Sequence, residues 1–405
     1  MRFSENTPRR QGPEVSKQVP PRICMATGRN FTKRAFQCGH YEAQDVLSNV
    51  DAVDLIHLES GPRFWFIEHW QRRLLFRDVS KKLISLNPGL HRVRLTREYD
   101  LFVAFCQTYW DLLHINAIDG WKDRCKTSVC WLDEMWASEI PRHKYWLHAL
   151  RKFDHVCVGY HGSVSALSKA IDRPCHWVPG AVDALRFSPY PNPTPRAVDV
   201  YSIGRRWDGI HRKLLAAAGR KEIFYVYDTF PRIAEMHVHD HQQHRDLFAN
   251  LAKRSRYFIV APGKMDSPEE TQGQVEIGFR YYEGAAAGTV MIGQPPSCDA
   301  FTETFPWPDV VIPIRPDGAD VMDVLASLDS EPERVSAISR RNTSEALLRH
   351  DWVYRWKDVF QVAGLEPSRG MVAREQQLKN VAELAREAAG DGFGREQLAP
   401  TEPVF

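Results

Sequence analysis

The chain has 405 residues, 43% hydrophobic and 26% charged, with a formal net charge of +2. That length suits two or three domains, and that composition buries an ordinary globular core, which excludes a disordered or fibrous chain. The near-neutral balance gives no reason to expect nucleic acid as a partner, so an anionic ligand must meet a local cluster of Arg and Lys.

In chain order, residues 1–20 are polar and Pro-rich without an apolar h-region, and read as a disordered lead-in rather than a secretory signal. Short apolar runs then alternate with helical patterns, the mark of a parallel α/β sheet. The strands are Arg22–Thr27 (RICMAT, closed by Gly28), Val53–Leu58, Leu101–Cys106, Ser128–Leu132 (ending in Asp133-Glu134), Val156–Gly159 and Cys175–Val178. Helices are expected over Ala35–Ser48 and Phe64–Ile84, with Ser163–Ser165 capping another. A Pro-rich connector, Ser188–Pro195, blocks helix and central strand alike and sets a domain boundary. The alternation then restarts with strands Val198–Ile203, Ile223–Tyr227, Tyr257–Val260, Thr289–Ile292 and Val310–Ile314. The helices between them are Ile210–Ala218, Arg245–Lys253 and Phe279–Ala287, the last closed by Gly288. Helices take over from Val321, Glu345–Phe360 being the clearest, and the tail Met371–Ala389 has an amphipathic period before residues that look disordered.

Two α/β halves across a short linker predict a first domain at 21–188, a second domain at 196–368 and a helical or disordered tail at 369–405. Ligands of such sheets bind at the carboxyl ends of the strands, so the loops there carry the chemistry. No run approaches the ~18 apolar residues of a membrane span. The eight cysteines stand singly, without a C-x-x-C pair, which suits a reducing, cytoplasmic setting. Twelve tryptophans allow a peripheral membrane contact, but they are scattered and mostly expected in the core.

Four segments stand out. His176–Pro189 (HWVPGAVDALRFSP) reads as a rigid hinge, with Pro179 fixing a turn, Gly180 able to take φ > 0 and Pro189 stopping the chain. Val198–Leu215 ends its strand in Gly204-Arg205 and carries further cations at Arg212 and Lys213. Glu276–Gly293 (EIGFRYYEGAAAGTVMIG) sets two glutamates about a helix start whose free N–H groups suit a diphosphate, with Arg280 able to face a phosphate. His350–Leu365 places Trp352 and Arg355 on one helical face.

Together these segments resemble the retaining, nucleotide-sugar-dependent glycosyltransferases of GT-B fold (glycosyl transferases group 1), covering the hinge and nearly all of the second half. The resemblance implies an α/β fold of two Rossmann-like domains facing an interdomain cleft. It implies a nucleotide-sugar donor on the second domain and an acceptor, whether glycan, lipid-linked or small molecule, on the first. Retention and the absence of any metal or cofactor are likewise implied. It assigns Gly204 and Arg205, then Arg212 or Lys213, to the donor diphosphate and Glu283 to the donor ribose, with Glu276 as a catalytic candidate. The family has seven residues between its glutamates; here there are six. Many relatives carry a His after a central strand of the first domain; the matching stretch offers Asp133 and Glu134, either able to position an acceptor hydroxyl or stabilise positive charge. Gly28 marks a turn that can approach donor or acceptor.

Two other classes compete. One is a non-catalytic protein that uses the fold to bind nucleotide or glycan. The other is a metal-dependent hydrolase built on His237, His239, His241 and His244 with Asp240 and Asp246, although the order departs from the H-x-H-x-D-H of metallo-hydrolases.

Overall fold

The structure, a computed structural model, describes residues 20–77, 79–229 and 236–388. The expected disordered lead-in and last residues thus lie essentially outside the described residues.

Six strands, β1 (Ile23–Thr27), β2 (Val53–His57), β3 (Tyr99–Thr108), β4 (Cys125–Glu134), β5 (His155–Val158) and β6 (Cys175–Trp177), form one sheet in the order β2-β1-β3-β4-β5-β6. Five more, β7 (Val198–Ser202), β8 (Tyr225–Tyr227), β9 (Ser255–Val260), β10 (Val290–Gly293) and β11 (Val311–Pro313), form a second in the order β8-β7-β9-β10-β11. Every pairing in both sheets is parallel. Strands β1 and β9 are buried along their whole length, which is why β1 and the Tyr257–Val260 part of β9 read as apolar runs. In each sheet the order reverses beside the first strand, and that reversal opens a crevice at the carboxyl edge.

The longer helices are α1 (Cys38–Val50), α2 (Phe64–Phe76), α3 (Val164–Ile171), α4 (Asp208–Gly219), α5 (His241–Lys253), α6 (Phe279–Ala286), α7 (Val321–Asp329), α8 (Pro332–Arg349), α9 (Trp352–Ala363) and α10 (Arg369–Glu387). Several differ from expectation for identifiable reasons. The stretch Phe64–Ile84 is not one helix: α2 stops at Phe76, and Lys81–Ser85 forms a separate 3₁₀ turn capped by the Ser80 hydroxyl. The Gln71 amide donates to the carbonyls of Leu83 and Leu86 at 2.6 and 2.9 Å and folds that turn back on α2. Ser163 precedes α3, but its hydroxyl donates to the Met135 carbonyl instead of capping the helix. Gly180 does not adopt positive φ. Its value is close approach, since a Cβ there would stand 3.1 Å from the Tyr282 ring and 3.3 Å from Phe279.

The expected single helix over Glu345–Phe360 is broken at His350-Asp351. Val182 of the hinge inserts there, its N–H donating to the His350 carbonyl at 3.0 Å and its carbonyl accepting from Trp352 N–H at 3.2 Å. Asp351 then caps α9 through the Val353 N–H. This break turns the chain back onto the first domain. The Trp356 indole donates to the Ala43 carbonyl at 2.9 Å, and Trp352 and Trp356 pack on Phe105 and Trp131. The tail helix α10 follows, with Ser368 bonded to the Val50 carbonyl at 2.5 Å. One buried apolar cluster therefore runs from β1 and α1 through α9 to α6 and β9.

Candidate active site

The carboxyl ends of both sheets face a cavity of about 350 Å³ between the domains. The first-domain wall comes from the ends of β3, β4 and β5, at Thr108, Asp133, Glu134 and Tyr160. The second-domain wall comes from the loop after β7 (Gly204, Arg205), the loop after β9 (to Lys264) and the start of α6 (Arg280, Glu283). The lining Arg and Lys side chains, Arg205, Arg245, Lys264 and Arg280, all come from the second domain, which also carries Glu276 and Glu283, while the first domain contributes Asp133 and Glu134.

Asp133 is buried, and its Oδ2 meets His40 Nε2 of α1 at 3.0 Å. Gly159, at the end of β5, leaves the room its carboxylate needs, because a Cβ there would lie 2.6 Å from Asp133 Oδ1. Glu134 Oε1 crosses the cleft to Lys264 Nζ at 3.0 Å, and Lys264 also holds Glu270 at 2.7 Å. Burial works against the Lys264 charge, but these two carboxylates outweigh it and raise its pKa.

Gly204 has φ +85°, and its N–H donates to Asp228 Oδ2 at 2.5 Å, so the turn after β7 is pinned. Arg205 extends from that turn, partly exposed, to Asp266 Oδ1 at 2.8 Å. Arg280 donates from Nε to the Ile203 carbonyl at 3.2 Å and from Nη1 to Glu283. Glu283 is fully buried, and its other oxygen takes Arg245 Nη1 at 2.5 Å. Burial alone would raise the Glu283 pKa; Arg280 and Arg245 reverse that and hold it below the ordinary carboxylate range. Arg245 continues across the domain boundary to Glu42 of α1, at 2.7 and 3.1 Å. Glu42 in turn accepts from Asp183 N–H and the Trp352 indole.

Glu276 lines the same cavity but is committed elsewhere. Its carboxylate accepts the Gln274 amide at 2.6 Å and, from the first domain, the backbone N–H groups of Gly162 and His161 at 2.9 and 3.1 Å. Burial raises its pKa despite these donors. Glu276 therefore ties the second domain to the turn that leads into α3.

The structure does not bring Arg212 or Lys213 to the cavity. Ile210 and Leu214 bury the inner face of α4, so both cations point to solvent. Gly28 lies outside the main cavity too; it borders a smaller one of about 50 Å³ with His40, Gln107 and His114 at the switch point of the first sheet. Sequence reasoning missed His40, Lys264 and Arg245. Lys264 had a signal, standing four residues past the strand-ending Val260; the other two lie on helices and become site residues only through tertiary packing.

The histidine segment does not form a metal centre. Asp240 caps α5 through the N–H groups of Gln242 and Gln243. His241 pairs with Asp45 at 2.7 Å. His244 lines the cavity, where burial and then Arg245 and Arg280 push its pKa down to about 4. Among the described residues no three His, Cys, Asp or Glu side chains are grouped to hold a metal ion.

Residues 197–361 match the family described as glycosyl transferase-like. Among solved structures, an α-glucosyltransferase in complex with UDP and a 13-mer DNA aligns at TM-score 0.51 with 10% identity, over 86% of this chain and 100% of its own. Anabaena HepE in complex with UDP aligns at TM-score 0.48 with 9% identity, over 85% and 99%. No curated protein matches the chain. Two parallel sheets facing one cleft give the chain a GT-B fold, and its second half, residues 197–361, carries a glycosyl transferase-like domain.

Proposed function

We propose that the chain moves a sugar from a nucleoside diphosphate to an acceptor hydroxyl, with retention and without an obligatory metal, and that the cavity between the sheets is where it does so. The observation that carries this reading is the set of Arg and Lys side chains that the second domain alone turns into the cleft, opposite Asp133 and Glu134 of the first. Arg205 and Arg280 meet the diphosphate, and their fixed charge neutralises it as the C1–O bond to phosphate breaks. Glu283, anchored by two arginines, presents acceptor oxygens to the ribose. Asp133 orients the acceptor hydroxyl on the face of the sugar that the diphosphate leaves, which retains the configuration at C1, and takes its proton as the new C1–O bond forms. Glu134 and Lys264 hold the walls at working distance, and Glu276 latches the domains. The α-glucosyltransferase of similar fold was solved with UDP, so UDP-sugars head the donor panel.

The test is a thermal-shift screen with nucleotide sugars, followed by donor hydrolysis without acceptor. A donor that binds the folded state raises its melting temperature. Arg205→Ala is expected to weaken donor binding by about 1.5–3 kcal/mol with the fold intact. Wild-type donor affinity in that variant would remove Arg205 from the site. Donor binding without any hydrolysis or transfer would favour the non-catalytic binder.

EDTA is expected to leave transfer unchanged, because the cleft supplies its own cations where other phosphate sites use Mg²⁺. Loss of activity on chelation, restored by Mn²⁺ or Mg²⁺, would refute the metal-free mechanism.

A further inference from the structure

Helix α2 is built inside out. Its inner face is Phe64, Glu68, Gln71 and Leu75, so two of four buried positions are polar. Glu68 is satisfied there by His114 at 2.8 Å and Arg72 at 2.7 Å. Its outer face carries the rings instead: Trp65 is 56% exposed, Phe66 68% and Trp70 43%. Phe66 and Trp70 are neighbours at 6.4 Å, and Phe76, Val79 and Leu86 extend the apolar surface. An ordinary surface helix shows the opposite arrangement.

Among the described residues of this stretch the exposed charges are of one sign. From Arg63 to Leu86 the exposed charged side chains among the described residues are Arg63, Arg73, Arg77, Lys81 and Lys82; Asp78 lies outside the described residues. Arg73 stands over the Trp70 ring at 5.5 Å. Beyond Phe76, whose ring meets His143 at 5.2 Å, exposed Arg142 continues the positive rim. Exposed Trp and Phe inside a cationic rim match the interfacial zone of an anionic bilayer: the rings enter the headgroup region while long basic side chains reach lipid phosphates. No helix among the described residues is long and apolar enough to cross a membrane, so α2 would lie in the surface.

We propose that the outer face of α2 docks the first domain on an anionic lipid surface, with Phe66 and Trp70 inserted and Arg73, Arg77, Lys81 and Lys82 on the lipid phosphates. Because α2 starts just past the carboxyl end of β2, docking would hold the carboxyl edge of the first sheet, and the cleft it borders, near the bilayer.

The test uses the full chain and phosphatidylcholine vesicles with and without phosphatidylglycerol. Co-sedimentation is expected only with the anionic vesicles, and it should weaken as salt rises. Phe66→Ser with Trp70→Ser should cut partitioning by more than about tenfold. Arg73→Gln with Arg77→Gln should do so without touching the rings. Both variants should keep wild-type thermal stability and donor response, since neither pair lines the cavity. The idea fails if the wild-type chain stays in the supernatant, if neutral vesicles bind it equally, or if either double variant binds like wild type. Self-association lost in the ring variant, without vesicle binding, would assign the face to a second copy instead.

Discussion

Arg245→Met is expected to destabilise the protein by about 3–5 kcal/mol. Arg245 is a fully buried guanidinium bonded to two buried carboxylates, Glu42 of the first domain and Glu283 of the second. Its removal leaves Glu42 to backbone and indole N–H donors and a long 3.6 Å contact with Arg186, and leaves Glu283 to Arg280 alone. An uncompensated buried charge costs more than the pair was worth, because the desolvation already incurred is no longer offset. The same reasoning predicts partial rescue: Arg245→Met with Glu42→Gln should be more stable than Arg245→Met alone. The measurement is denaturant unfolding followed by tryptophan fluorescence, since Trp352 and Trp356 sit at the domain junction. A loss below about 1 kcal/mol, or two losses that simply add, would mean that the bridge carries no coupling between the domains.

That bridge also changes what Glu283 can do. The helix-start reading expected a carboxylate free to meet a ribose, and the structure has both its oxygens on arginines, one of them Arg280 of the cavity wall. The pairing keeps Glu283 ionised in a buried position, where burial alone would favour protonation. A carboxylate oxygen has more than one lone pair, so a hydroxyl can join without displacing Arg245.

How much of this was legible in the sequence depends on distance along the chain. The strands were plain because parallel strands buried on both faces become apolar runs, as ICMAT of β1 and YFIV of β9 show. The family resemblance, with the strand-end rule, pointed to Asp133, Glu134, Gly204 and Arg205, and all four line the cavity. Arg212 and Lys213 failed because spacing was read before helix phase; with Ile210 and Leu214 inward, neither cation can reach the cleft. The helix break at Asp351 was invisible because its cause is Val182, brought there by the hinge. The pairings that shape the site join residues far apart in sequence, 203 between Arg245 and Glu42 and 93 between His40 and Asp133. No local pattern marks such partners, since a Glu inside a helix looks the same whether it faces water or a buried guanidinium.

The second large effect is expected at Asp133. Asp133→Asn keeps the shape and the burial, and an amide can still bond to His40, but it removes the negative charge and the capacity to take a proton. Turnover should fall by roughly 10²–10⁴, the usual contribution of a positioned acid–base group. Donor affinity should stay near wild type, because the cations that meet the diphosphate lie on the opposite wall. Glu134→Gln is the control: it sits beside Asp133 and lines the same cavity, yet its carboxylate is bound to Lys264 at 3.0 Å, so its loss should loosen closure and raise KM more than it lowers kcat. Two measurements separate the roles, nucleoside diphosphate affinity by titration and steady-state kinetics with acceptor. If Asp133→Asn transfers sugar at the wild-type rate, the proton goes elsewhere, and the paired His40 and Asp133 serve only to fix α1 against the end of β4.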